Sequence, residues 1–250
     1  MSPPISSLQA AWLTEIGVDP QWLGLLGAEA PSAPRPALGG QQTPPVERPP
    51  APPADAGASL EALDEAILAC QACGLHAGRT RAVPGAGRTQ SPEYLIVGEM
   101  PGAADDAAGR PFEGPAGSLL RAMLAGARVP DADSAYLTNV LKCRPTGGRM
   151  AQVAEVAACL PHLRRQIELL RPRHILVLGR LAARALLETR AALEDLRGHE
   201  HAYTLSDGST IPLWVTHHPA SLLVRPVYKA QAWMDLLALA RAARDPARRA

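Results

Sequence analysis

Residues 98–117 read GEMPGAADDAAGRPFEGPAG. Five glycines, three prolines and four carboxylates (Glu99, Asp105, Asp106, Glu113) crowd around the chain's single phenylalanine, Phe112. Such a stretch could cradle a phosphate, hold a metal, wall a catalytic pocket or merely link two elements. A phosphate cradle fits poorly. The spacing is not G-x-G-x-x-G, and no lysine follows the glycines as a P-loop requires. Pro101 and Pro111 also remove N–H donors that a cradle would use. A calcium loop spaces its carboxylates alternately, whereas Asp105 and Asp106 are adjacent. A pocket wall remains. Gly98 and Gly102 allow tight bends and close approach, Phe112 offers a flat apolar face, and Glu99 and Asp105 offer acceptors.

Two further clusters carry chemistry: Asn139 in YLTNVLKCRP, and the adjacent His217 and His218 in THHPASLLVRP. The cysteines are Cys70, Cys73, Cys143 and Cys159. The two-residue gap of CQAC lets two thiolates bind one metal or cluster. Zinc and an iron–sulfur cluster both accept four thiolates, and spacing does not separate them. The plain alternative is a set of buried, inert thiols.

These residues must be positioned by a scaffold. Short, nearly all-apolar runs at 94–98 (YLIVG), 135–140, 173–179 and 211–216 predict strands. Helical patterns occupy 117–127, 152–170, 180–188 and 229–243, and Ser59 is placed to cap a helix over SLEALDEAILAC. Apolar strands separated by helices predict an α/β fold, a three-layer α/β/α sandwich with a central, mostly parallel four-stranded sheet. In such sheets the ligand lies beyond the carboxyl ends of the strands. The glycine-rich stretch follows 94–98, Asn139 ends 135–140 and HHPA follows 211–216, so the three polar clusters converge on one rim.

The chain has 250 residues, 47% of them hydrophobic, enough for a real core. Residues 1–27 read as a short helical and apolar segment, and 28–58 as a disordered Pro/Ala-rich linker. Residues 59–243 form the folded domain, and 244–250 a basic tail. Between Lys142 and Arg184 stand nine Lys/Arg against two acids. That zone suits either a polyanion or a solvated helix face. No apolar run reaches the ~20 residues of a membrane span, and no secretory signal is recognisable, so a cytoplasmic protein is expected. There, four cysteines point to metal ligands or free thiols rather than disulfides.

Taken together, GEMPGAADDAAGRPFEGPAG, YLTNVLKCRP, THHPASLLVRP and CQACGLHAGRT resemble the family 4 uracil-DNA glycosylases, which carry an iron–sulfur cluster. The resemblance covers roughly residues 60–240. It implies a DNA-repair enzyme that flips uracil out of DNA and hydrolyses its N-glycosidic bond. By resemblance, His218, Glu99 and Asp105 are catalytic. Phe112 stacks on the base and Asn139 reads its edge, with Gly98, Met100 and Gly102 also lining the pocket. Leu222, Leu223, Arg225, Lys142 and Arg144 meet DNA, and Cys70, Cys73, Cys143 and Cys159 hold a [4Fe–4S] cluster. Met100 replaces a small residue of the family pattern and is expected to narrow the pocket or change which damaged bases fit. A non-catalytic DNA- or polymerase-associated iron–sulfur protein is the alternative on the same fold. Uracil-containing DNA is the expected partner of a monomer. QWLGLL, within 7–26, loosely resembles a peptide for a replication or repair partner.

Overall fold

The computed structural model describes residues 59–129 and 134–244. The segments expected at 1–27 and 28–58, the partner peptide within 7–26, and residues 245–250 of the tail lie outside the described residues. The chain opens with α1 (Leu60–Ala69), whose cap Ser59 accepts the Ala62 N–H at 3.2 Å. Leu60, Leu63 and Ile67 follow helical spacing and are the buried face of this helix.

A six-stranded sheet follows: β1 (Ala86–Gly87), β2 (Tyr94–Gly98), β3 (Ala135–Asn139), β4 (His174–Leu178), β5 (Glu200–Thr204) and β6 (Thr210–Thr216). Their order is β1-β3-β2-β4-β6-β5. The four central strands run parallel, while β1 and β5 add antiparallel edges. The expected four-stranded sheet is therefore the middle of a mixed six-stranded one. The edge strands escaped notice because β1 is two residues long and β5 (EHAYT) alternates between exposed and half-buried positions with no apolar run.

All five residues of β2 are buried, because both faces of the sheet are covered. Side chains alternate across a strand, so Leu95 and Val97 join one core with α1, α4 (Val153–Leu170) and α5 (Arg180–Leu187). Tyr94 and Ile96 join a second core with α3 (Pro115–Ala127) and α8 (Lys229–Arg244). Each fully buried Leu or Ile contributes about 1.5–3 kcal/mol. The remaining helices are short: α2 (Ala103–Ala108), α6 (Leu193–Leu196) and α7 (Pro219–Val224).

The chain passes from β2 to β3 on one side, then crosses to β4 on the other. The crevice where this reversal occurs is where parallel α/β sheets bind ligands. Much of the basic zone points elsewhere: Arg149 pairs with Glu155, Arg164 with Glu188, and Arg171 with Asp207. Those arginines brace the domain surface.

Candidate active site

Gly98 ends β2 in register with Asn139 at the end of β3. The pairing continues past the strands, Val140 N–H to Gly98 O at 3.0 Å and Leu141 N–H to Glu99 O at 3.1 Å. A Cβ on Gly98 would collide with Asn139 Oδ1 and stand 2.8 Å from Phe112 Cζ. The glycine is thus the shared floor on which the amide and the ring sit. Asn139 is 1% exposed, yet its Nδ2 has no hydrogen-bond partner. A buried donor left open costs about 1–3 kcal/mol, a cost that a ligand acceptor would remove.

Phe112 is buried and sits at φ +61°, a left-handed conformation that costs a non-glycine residue about 1–3 kcal/mol. The acidic pair holds it there. Asp105 Oδ2 accepts the Gly102 N–H at 2.9 Å and Oδ1 the Glu113 N–H at 2.8 Å. Arg121 donates to the Phe112 carbonyl at 3.1 Å. Asp106 takes the Thr80 N–H at 3.0 Å, pinning the segment that follows the cysteine pair. The glycine-rich stretch is therefore not all loop. It contains α2, which the sequence hides because AADDAA shows no apolar stripe. Asp105, expected to be catalytic, is committed to two backbone amides and acts as the clip that shapes the Phe112 turn.

His218 caps α7, and its Nδ1 accepts the Ala220 N–H at 3.2 Å. A nitrogen that accepts carries no proton, so the neutral ring bears its proton on Nε2, free to donate. The ring lies 6.2 Å from the Phe112 ring, inclined by 27°. Burial pushes the His218 pKa down to about 4, with the negative charge of Asp105 opposing. His217 faces away. It is buried, bonded to Gln231 at 2.9 Å and stacked on Tyr228, so it is packing rather than pocket.

Glu99 follows β2, and its Oε1 accepts the Leu181 N–H at 2.8 Å, at the first turn of α5. Burial pushes its pKa up; the Leu181 bond and the Arg180 charge pull it back. Sequence reading missed both Leu181 and its neighbour Gly179. The available signal was a glycine at the carboxyl end of a central strand.

The four cysteines line one small cavity together with His76, Arg79, Lys142 and His162. Two N–H donors point at sulfur, Lys142 N to Cys159 at 3.2 Å and Arg79 Nη1 to Cys143 at 3.0 Å, and His162 Nε2 shares a hydrogen bond with Cys70 Sγ at 3.4 Å. Burial pushes the Cys159 thiol up to about 12, with Lys142 opposing. A thiolate there calls for the positive charge of a bound metal. Among the described residues no three His, Cys, Asp or Glu side chains converge tightly enough for one metal ion.

Three expected contacts need correction. Lys142 is 1% exposed, and its ammonium donates to Thr138 Oγ1 at 2.6 Å, Asn139 O at 2.7 Å and Gln166 Oε1 at 2.6 Å. It braces the Asn139 strand end from inside and cannot meet a duplex. Met100 packs with Leu75, Leu141 and Cys143 on the cysteine side rather than narrowing the pocket. Leu222 is fully buried, whereas Leu223 is 45% exposed and Arg225 is exposed. Of the two leucines, Leu223 is the exposed one, followed by the exposed Val224. Arg144 is half-buried.

The fold and site define a class: an α/β domain with a parallel central sheet, Gly98, Phe112, Asn139 and His218 gathered at its carboxyl rim, and a separate cavity lined by four cysteines. A family model described as the uracil DNA glycosylase superfamily matches residues 84–237. The type-4 uracil-DNA glycosylase of Pyrobaculum aerophilum is 41% identical over 181 residues, 71% of this chain and 91% of that protein. Those of Archaeoglobus fulgidus and Thermotoga maritima are 39% and 36% identical, over 71% and 66% of this chain and 89% and 83% of theirs. The chain belongs to the uracil DNA glycosylase superfamily, among its type-4 members. Among the described residues, no helix is long and apolar enough to cross a membrane.

Proposed function

We propose that the protein excises uracil from DNA, hydrolysing the N-glycosidic bond and leaving an abasic site for repair. The observation that carries this reading is the buried, unpartnered Asn139 Nδ2 beside the Phe112 ring. Uracil presents an acceptor at O4 and a donor at N3. Asn139 Nδ2 donates to O4 while its Oδ1 accepts N3–H. Cytosine reverses both and is rejected.

A base inside a duplex is out of reach, so the nucleotide is flipped into the pocket at a cost of a few kcal/mol. Stacking on Phe112 returns about 1–3 kcal/mol. Leu223 enters the vacated stack as an apolar wedge, anchored by buried Leu222, with Arg225 and Arg144 toward the backbone. Bond cleavage places negative charge on the leaving uracil and positive charge on the sugar. His218 Nε2–H donates to O2, where the negative charge develops, and its low pKa keeps the ring neutral. Glu99 is aimed by Leu181 and holds the attacking water. A carboxyl whose pKa is raised by burial is the stronger base for taking its proton. Asp105 keeps the Phe112 turn in shape and sets a negative field facing the oxocarbenium-like sugar.

Cys70, Cys73, Cys143 and Cys159 would hold a [4Fe–4S] cluster, with N–H···S bonds from Arg79 and the Lys142 amide. Bound there, the cluster ties the segment after α1 to β3 and α4; it supplies cohesion, not a step in the reaction. The folded domain works as a monomer. An excision assay with uracil, hypoxanthine, xanthine and thymine in matched duplexes tests the reading. Release of uracil supports it; DNA binding without release of any base refutes it.

A further inference from the structure

Three strand ends meet at one residue that has no side chain. Gly179 follows β4 at φ +94° and precedes α5. Its N–H donates to Thr216 O at 2.9 Å, tying the end of β4 to the end of β6, and its carbonyl accepts the Ala183 N–H at 3.1 Å to start the helix. A Cβ built there would stand 2.5 Å from Glu99 Oε1, 2.8 Å from Glu99 Cδ and 3.1 Å from His218 Cβ. The first two distances are inside contact range. The affected atoms belong to the carboxyl held by Leu181 N–H and to the residue whose ring donates from Nε2.

We infer that Gly179 is a positioning residue for base excision: the space left by its missing side chain lets Glu99 rest on the first turn of α5 while His218 closes beside it. The backbone at Gly179 cannot give way, because it is bonded on both sides. A side chain at 179 therefore moves Glu99 off the Leu181 amide, because the carboxyl is the nearest group and the bond to Thr216 O holds the β6 end and His218 in place. Misplacing a reacting group by about 1 Å costs on the order of 100-fold. Neither Asn139 nor Phe112 supplies any of the three nearest atoms to a Cβ at this position, so the stacking face and the reading amide are expected to stay in place.

The inference rests on the excision reading above, and its test separates the two. In single-turnover assays on a uracil duplex, Gly179→Ala is expected to lose on the order of 100-fold in rate. Inhibition by free uracil should stay unchanged. In a Glu99→Ala background the same change should cost less than about threefold, because the group it displaces is gone. Equal losses in both backgrounds would make the effect plain backbone strain and overturn the inference. Should Gly179→Ala fold poorly, Leu181→Pro is the second variant. It removes the N–H that Glu99 accepts, at a first-turn position where proline is tolerated, together with a half-buried leucine side chain whose loss a Leu181→Ala control measures; about a tenfold rate loss beyond that control, with unchanged uracil inhibition, is expected. Wild-type rates in either variant, once folded, would overturn the role. An inactive wild type would instead defeat the excision reading.

Discussion

Gly98→Ala tests the pocket with the smallest addition available, one methyl group. Gly98 lies in β2, with no positive φ to make alanine unfavourable there. The added Cβ meets Asn139 Oδ1 and stands 2.8 Å from Phe112 Cζ, so the cost falls on two functional side chains rather than on the fold. Displacing Asn139 forfeits hydrogen bonds worth about 1–3 kcal/mol. Tilting Phe112 forfeits stacking worth about 1–3 kcal/mol. Together they amount to about 2–6 kcal/mol, or roughly 30-fold to 10⁴-fold at about 1.4 kcal/mol per decade. The assay is kcat/KM on a uracil-containing single strand, where no flipping cost intervenes, alongside a melting curve. A folded Gly98→Ala protein within threefold of wild type would refute the placement of the base over Gly98.

Other consequences are as direct. Leu223→Ala is expected to slow excision from duplex DNA while sparing single strands. Leu222→Ala, at a fully buried site, should instead lower stability by about 2–5 kcal/mol; paired melting and excision measurements separate them. His218 titrated by NMR should show a midpoint near 4 rather than 6.5. The native state then binds fewer protons than the unfolded one between those values. Stability should fall as pH drops from 6.5 toward 4 and level off below, and His218→Gln should flatten that slope. Cys143→Ala should abolish broad visible absorbance and lower the melting temperature. A colourless variant with wild-type stability would contradict the four-thiol cluster.

Much of the scaffold is legible in the sequence for a simple reason. A strand covered on both faces must be apolar throughout, so YLIVG and HILVL announce the central sheet and the rim that follows. Edge strand β5 needs no such run, and α2 is assembled from alanines and two aspartates between glycines. Neither leaves a periodic signal. The pocket residues Phe112, Asn139 and His218 stand out because polar or aromatic groups cluster where strands end. Burial is what one dimension hides. Lys142 looks like a surface cation, yet three oxygen acceptors take its ammonium inside. Leu222 and Leu223 are adjacent and chemically identical, and only the orientation of a six-residue helix buries one and exposes the other. Gly179 reads as an ordinary turn residue until Glu99 and His218, distant in sequence, are seen on either side of it.

The central claim is that the open amide of Asn139 reads uracil for excision. The most direct measurement compares matched duplexes carrying a single uracil or a single cytosine at the same position, using wild type and Asn139→Ala and quantifying free base and alkali-labile sites. Wild type should release uracil and leave cytosine intact, and Asn139→Ala should lose at least about tenfold on uracil. Wild-type protein that binds both duplexes and cuts neither, or an Asn139→Ala protein as active as wild type, would contradict the account.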